Sequence, residues 1–281
     1  MYKLVASDMD ETFLDGDHAI PAANLDALAR LRELGVLFVP SSGRPYQSIM
    51  ENFRGIDQHL LEDSYVISYN GGFINRYGDP EPLISTTMDR AIIEPLYRFG
   101  VEHRMPMHIY TTSGKIFTQF LMPSERAYVS NLSGIIGLDD TQRTLDFAGD
   151  EPFVKILYVG ENLDEAKALG ERVSPLLDRA RTDVTYSSNR YVEFVPAGID
   201  KGTGLAHLAS MLGIDIAETI GMGDSANDLA MIRAAGLGVG VANVSDDTRP
   251  FCDLILETDA ARGALPELVD RVIVPSMSAA R

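Results

Sequence analysis

Lys3-Leu4-Val5-Ala6-Ser7-Asp8-Met9-Asp10-Glu11-Thr12 begins as a short apolar run and ends on carboxylates. Lys3 to Ser7 reads as a buried strand. A strand followed at once by acidic residues places them at the C-terminal edge of a parallel sheet, where such sheets bind ligands. Asp8 and Asp10 are separated by one residue, so a bend in the loop brings their side chains towards one point. There they repel unless a cation sits with them, and a hard ion such as Mg²⁺ suits oxygen donors. One carboxylate could then attack phosphorus while the other passes a proton to the leaving oxygen. The competing reading is an Asp-rich turn at a strand end.

Working outward, Pro21 to Leu34 carries Leu25, Leu28, Leu31 and Leu34 at helical spacing, Gly35 stands where a helix ends, and Val36 to Val39 is strand-like. A helix is expected after Pro45, and Tyr65 to Ser68 reads as a third strand ending in Asn70-Gly71-Gly72. The C-terminal third repeats the rhythm: helix Lys201 to Leu212, strand Ile214 to Gly221, helix Asn227 to Ala234, strand Gly236 to Val241, helix Ala260 to Val272. Alternating strands and helices with short connections imply an α/β fold with a doubly wound parallel sheet. Between about Pro82 and Arg190 the pattern becomes α+β, with a helix at Asp89 to Glu102 and strands at Phe153 to Val159, near Thr182 to Tyr186 and at Tyr191 to Val195. The expected division is a discontinuous core, 1–82 plus 191–281, and an inserted domain, 83–190.

Three further segments occupy the slot that Asp8 occupies, a loop near a strand end. Ser41-Ser42-Gly43-Arg44-Pro45 offers a hydroxyl and backbone N–H groups before a helix, which suits phosphate oxygens as well as it suits an ordinary N-cap. Lys201 stands at a helix start, where a cation opposes the dipole and so suggests an anion nearby. Gly221-Met222-Gly223-Asp224-Ser225-Ala226-Asn227-Asp228 follows another strand. Asp224 could meet Asp8 and Asp10 across neighbouring strand ends, with Asp228 one helical turn further on.

With these four segments in order, the chain resembles the haloacid dehalogenase superfamily of phosphohydrolases, in its Cof-type branch with a large inserted cap of the C2 kind. The resemblance implies a Rossmann-like core and Mg²⁺-dependent hydrolysis of small phosphate monoesters, sugar phosphates or phosphorylated cofactors, through an aspartyl phosphate. It implies that Asp8 is the nucleophile and a metal ligand, and that Asp10 is the general acid and base, binding the metal through its carbonyl. Asp224 would be the third metal ligand and Asp228 would orient the ligands. Ser42 and Lys201 would hold the phosphoryl group, Asn227 would reach its oxygens, and Gly43, Arg44 and the Asn70-Gly71 turn would lie near the site. The cap would close over the site and read the leaving group. Glu11 departs from the pattern, relatives having Gly there, and Ser42 replaces a commoner Thr while keeping the hydroxyl.

The 281 residues carry 24 basic and 41 acidic side chains, a net charge of −17, with 45% apolar residues. That composition is one of a soluble globular protein of one or two domains. The acidity argues against a sequence-independent hold on nucleic acid or an anionic membrane. One cysteine, Cys252, excludes an intrachain disulfide and a thiolate metal cage. No signal peptide or membrane-length apolar run is evident, so a cytoplasmic chain is expected, with the sequons at Asn131 and Asn243 unused. The five histidines, His18, His59, His103, His108 and His207, lack metal-ligand spacing and read as ordinary surface or core residues; a substrate contact for His108 is the exception considered. The expected partner is a small phosphorylated metabolite, and the expected state a monomer or weak homodimer. Two other readings stay open: a sugar phosphomutase of the same fold, and a catalytically weak phospho-ligand-binding regulator.

Overall fold

A computed structural model describes residues 1–129, 134–187 and 189–278; Asn131 lies outside them. Among the described residues fourteen strands are β1 (Leu4–Asp8), β2 (Leu37–Ser41), β3 (Tyr65–Ser68), β4 (Phe73–Arg76), β5 (Pro82–Ser85), β6 (Met107–Thr111), β7 (Ile116–Gln119), β8 (Ile135–Gly137), β9 (Phe153–Val159), β10 (Thr182–Ser187), β11 (Tyr191–Pro196), β12 (Thr219–Gly223), β13 (Leu237–Gly240) and β14 (Leu254–Ile255). They form two sheets, ordered β14-β13-β12-β1-β2-β3-β4-β5 and β10-β11-β9-β6-β7-β8. The chain divides into two units, Met1–Ile84 with Asp200–Arg281, and Ser85–Ile199.

In the first unit β1 is buried throughout. Leu4 and Ala6 pack with Val39, Ile67, Leu205 and Met231 on one face, and Val5 packs with Phe38, Ile220, Met222 and Leu265 on the other. This alternation is what a parallel strand covered on both faces requires. Each such aliphatic or aromatic side chain stabilises the fold by about 1.5–3 kcal/mol on burial. β1 pairs in parallel with β2, Asp8 opposite Ser41, and with β12, Ser7 opposite Met222. The chain runs outward from β1 through β2 and β3 in one direction and through β12, β13 and β14 in the other. β1 and β12 therefore flank the switch point, the crevice where an open α/β sheet takes its ligand.

Local chemistry moves several expected boundaries. The strand expected from Ile214 starts only at Thr219, because Asp215 accepts from the Ala217 N–H and closes a turn over Ile216–Glu218. The helix expected over 260–272 is interrupted: Asp259 caps a turn at Ala260–Arg262, Gly263 takes φ +82°, and the helix begins again at Leu265. The glycine run Gly236 to Gly240 contains the whole of β13 and makes close backbone approaches, a Cβ on Gly238 falling 2.5 Å from the Ile232 carbonyl.

In the second unit, alternate residues of the sheet (Met107, Ile109, Ile156, Tyr158, Val192, Phe194) pack against the helices Arg90–Glu102 and Leu163–Val173. The expected insertion ended at 190; β11 instead lies between β10 and β9, paired antiparallel to both, so the insertion runs to Ile199. His108 is buried and paired with the buried Glu125 at 3.1 Å, and Lys155 pairs with Glu193 at 2.5 Å. Among the described residues no helix is long and apolar enough to cross a membrane.

Candidate active site

Past Asp8 the chain turns sharply, with Asp10 extended (φ −69°, ψ 128°) and Glu11 left-handed (φ 57°, ψ 15°). Glycine adopts the latter conformation without strain; in Glu the Cβ crowds the carbonyl oxygen that follows it. The loop is tied down by neighbours from the C-terminal third: Asn243 Nδ2 donates to the Glu11 carbonyl at 2.8 Å, and Thr12 Oγ1 donates to Asp224 Oδ1 at 2.8 Å. The Ser245 N–H in turn donates to the Asp224 carbonyl at 2.7 Å.

Lys201 reaches this point because its helix starts deep in the unit. Asp200 accepts from the Thr203 N–H at 2.7 Å and Thr203 Oγ1 accepts from the Asp200 N–H at 3.0 Å, a reciprocal cap. The helix is held close by glycines. A Cβ on Gly71, at φ +96°, would fall 2.1 Å from the Asp200 carbonyl oxygen, and one on Gly204 would fall 2.6 Å from Gly71 Cα. The Asn70-Gly71 turn noted in the sequence thus serves to admit the Lys201 helix.

The Lys201 ammonium, fully buried, bonds Asp8 Oδ1 and Asp228 Oδ1, the latter at 2.5 Å. Asp228 Oδ2 accepts from the N–H groups of Asp224 and Ser225, both at 3.0 Å. Asp8, Asp224 and Asp228 are all buried, and one carboxylate oxygen of each lies within 4.8 Å of the others. Three buried carboxylates thus face one ammonium. Burial, then Asp228, push the Asp8 carboxyl well above its ordinary range, Lys201 pulling it back. Burial and Asp228 also push Asp224 up to about 7, against the Thr12 hydrogen bond. Burial works against the charge of Lys201, but Asp228 and Asp8 outweigh it and hold the ammonium above its usual value.

These residues fit a hard divalent cation. The donors are buried carboxylate oxygens, and ionised together they carry two more negative charges than Lys201 offsets. Both oxygens of Asp228 are spent on Lys201 and on backbone N–H groups, which leaves Asp8 and Asp224 as the side chains free to ligate.

A family model described as haloacid dehalogenase-like hydrolase matches residues 5–268, from β1 to the last helical segment. The chain belongs to the haloacid dehalogenase-like hydrolases. YxeH of Bacillus subtilis (strain 168), a protein named as a phosphatase, is 29% identical over 249 residues, 86% of this hydrolase and 88% of YxeH. An HMP-PP phosphatase of Serratia proteamaculans (strain 568) is 29% identical over 244 residues, 86% of this chain and 85% of its own. Among solved structures, the subclass IIB sugar phosphatase BT4131 superposes with a TM-score of 0.81 at 17% identity, covering 97% of this chain and 99% of its own, a likeness of fold. The protein is a phosphatase of this family, with the Cof-type α/β core that the sequence suggests.

The remaining expected residues sit as follows in this dehalogenase-like hydrolase. Ser42 is buried, its Oγ accepting from the Arg44 N–H at 3.2 Å. Gly43 lies against the Asn70 side chain, 3.0 Å from where its Cβ would stand. Asn227 is exposed and accepts from Ser225 Oγ at 2.8 Å. Asp10 turns to a different set of partners: Arg44 Nε at 3.2 Å from Oδ2, and His18 Nδ1 at 2.8 Å from Oδ1. The sequence does not mark Thr12, Asn52, Asn243 or Ser245 as site residues, and it reads His18 as an ordinary surface or core histidine. The turn-rich Asp15-Gly16-Asp17-His18, seven to ten residues after Asp8, is the local signal that the loop doubles back.

Proposed function

We propose that the protein is a Mg²⁺-dependent phosphatase that hydrolyses small phosphate monoesters, sugar phosphates or phosphorylated cofactors, through an aspartyl phosphate on Asp8. The observation that supports this reading is the buried group Asp8, Lys201, Asp228 and Asp224 at the C-terminal ends of β1 and β12. Asp8 and Asp224 would hold the ion, with the Asp10 carbonyl. When bound, it draws negative charge from the phosphoryl oxygens.

An Asp8 carboxylate oxygen attacks phosphorus, and the bond from phosphorus to the ester oxygen breaks. The Asp10 carboxyl gives its proton to that oxygen, which leaves as an alcohol. Asp10, now a carboxylate, takes a proton from water as the water oxygen attacks the same phosphorus. The bond to Asp8 breaks, inorganic phosphate leaves, and Asp10 is again protonated. Lys201, Ser42, the Gly43 backbone and Asn227 hold the phosphoryl oxygens. Asp228 keeps Lys201 charged and aimed at Asp8. The inserted unit selects the leaving group, and the enzyme works in the cytoplasm as a monomer or weak homodimer.

The test is phosphate release from sugar, polyol, nucleotide and cofactor phosphates, with Mg²⁺ or with EDTA, by wild type and Asp8→Asn. Turnover that needs both Mg²⁺ and Asp8 is expected. Undiminished turnover by Asp8→Asn would overturn the reading, and transfer between sugar positions without phosphate release would replace it with a mutase.

A further inference from the structure

Three residues of the first unit, Arg44, Asn52 and His18, close a ring with Asp10. Arg44 Nε pairs with Asp10 Oδ2 at 3.2 Å. Arg44 Nη2 donates to Asn52 Oδ1 at 2.9 Å, Asn52 Nδ2 donates to the His18 carbonyl at 2.8 Å, and His18 Nδ1 returns to Asp10 Oδ1 at 2.8 Å. His18 is held in the left-handed region at φ +60°, where a side chain is disfavoured. Asp15 keeps it there, its Oδ1 accepting from the N–H groups of Asp17 and Ala19, each at 2.9 Å, while its carbonyl accepts from the His18 N–H at 3.1 Å. Strained backbone of this kind persists where the surroundings over-determine it.

Stability does not account for the ring. The His18 and Asp10 side chains are 67% and 38% exposed, and exposed pairs contribute little. What the ring fixes is direction: Asp10 Oδ1 hydrogen-bonds His18 Nδ1 and Oδ2 sits in ion-pair contact with Arg44 Nε, and each keeps a lone pair for a proton in transit. While Asp10 is ionised it can only accept, so His18 Nδ1 carries a hydrogen towards it.

We infer that His18 and Asn52 are positioning residues that, together with Arg44, aim the Asp10 carboxyl for proton transfer to the leaving oxygen. This rests on the phosphatase reading above, and in particular on Asp10 as the proton donor. The donor matters most where the leaving group is a poor one. An alkoxide needs its proton as the ester bond to phosphorus breaks, whereas p-nitrophenolate leaves without it. Because kcat/KM covers the steps through departure of the leaving group, loss of aim lowers it on alkyl and sugar phosphates and spares p-nitrophenyl phosphate.

The experiment compares kcat/KM on an alkyl phosphate and on p-nitrophenyl phosphate, with Mg²⁺, for wild type, Asp10→Asn, His18→Gly, His18→Asn, Asn52→Ala and the double variant Asp10→Asn with His18→Gly. Glycine suits φ +60° and removes the ring, so a purely structural role for His18 predicts no loss, while positioning predicts about a tenfold loss on the alkyl ester and little on the aryl one. Asn52→Ala should show the same selectivity. His18→Asn, which tolerates that backbone and keeps an N–H donor, should recover most of the activity. The double variant should be no slower than Asp10→Asn alone, since His18 acts through Asp10. A selective Asp10→Asn beside a neutral or unselective His18→Gly would overturn the ring's role and leave the phosphatase reading standing. An unselective Asp10→Asn would remove Asp10 as the donor, and the inference with it.

Discussion

Lys201→Met removes the one ammonium among the charges described at the candidate site, and the structure states what that costs. The ammonium is fully buried and bonded to two carboxylates, Asp8 and Asp228, with Asp224 also within the cluster. Deleting one partner of a buried ion pair leaves an uncompensated charge, a loss of about 3–5 kcal/mol. That figure applies when the carboxylates are ionised, so the loss depends on pH. Asp224 is pushed up to about 7 and Asp8 is raised well above its ordinary range. An acid whose pKa rises on folding stabilises the fold below its unfolded value and loses that contribution as the pH climbs through the folded one. Lys201, raised on folding, contributes fully below its ordinary 10.5 and is constant from pH 5 to pH 8. In EDTA the wild type should therefore weaken from pH 5 to pH 8, and Lys201→Met should weaken more steeply.

Urea unfolding followed by far-UV circular dichroism measures this, tryptophan fluorescence being ruled out by a chain with no Trp. The expected loss is about 3–5 kcal/mol at pH 8 and clearly smaller at pH 5. A loss at pH 8 below about 1 kcal/mol, the size of an exposed pair, or an equal loss at both pH values, would refute the buried-charge account.

Mg²⁺ should raise the thermal midpoint more at pH 8 than at pH 5, because Asp8 and Asp224 must shed protons before they ligate; melts with Mg²⁺ and with EDTA check this. Glu11→Gly should stabilise the protein by about 1 kcal/mol by freeing a φ of +57° from Cβ strain, read as a rise in urea midpoint with phosphatase activity retained. Gly71→Ala should destabilise by about 2–3 kcal/mol, since its Cβ falls 2.1 Å from the Asp200 carbonyl. The same change should slow phosphate release by moving the start of the Lys201 helix.

The sequence carried the parts of the fold whose signals are local. Lys3 to Ser7 is apolar enough to read as a buried strand, Leu25, Leu28 and Leu31 mark a helix face, and the helix Lys201–Leu212 has the bounds that the sequence predicts. Phe73–Arg76, Pro82–Ser85 and Leu254–Ile255 are too short for a period to register, and the sheet order alone makes them strands. β11 was recognised as a strand paired with β10 but assigned across a domain boundary, because its pairing to β9, more than thirty residues away, leaves no local signal. At the site, strand-end spacing pointed to Asp8, Lys201, Asp224 and Asp228, which the fold brings together. His18 and Asn52 were not legible: their partners are set by a left-handed turn and by a side chain meeting a carbonyl 34 residues away.

Asp228 shows why a residue that need not touch metal or substrate still has to be a carboxylate. Its two oxygens do different work: Oδ1 holds the ammonium of Lys201, and Oδ2 holds the N–H groups of Asp224 and Ser225. An amide offers one acceptor oxygen and one NH₂ donor, so Asp228→Asn cannot do both. Either the NH₂ faces an ammonium or it faces two N–H groups, and each choice sets donor against donor. Asp228 thus joins the helix bearing Lys201, the cation proposed to hold the phosphoryl group, to the loop bearing a candidate metal ligand. A single misaligned group there displaces Lys201 or Asp224, one from each half of the proposed chemistry.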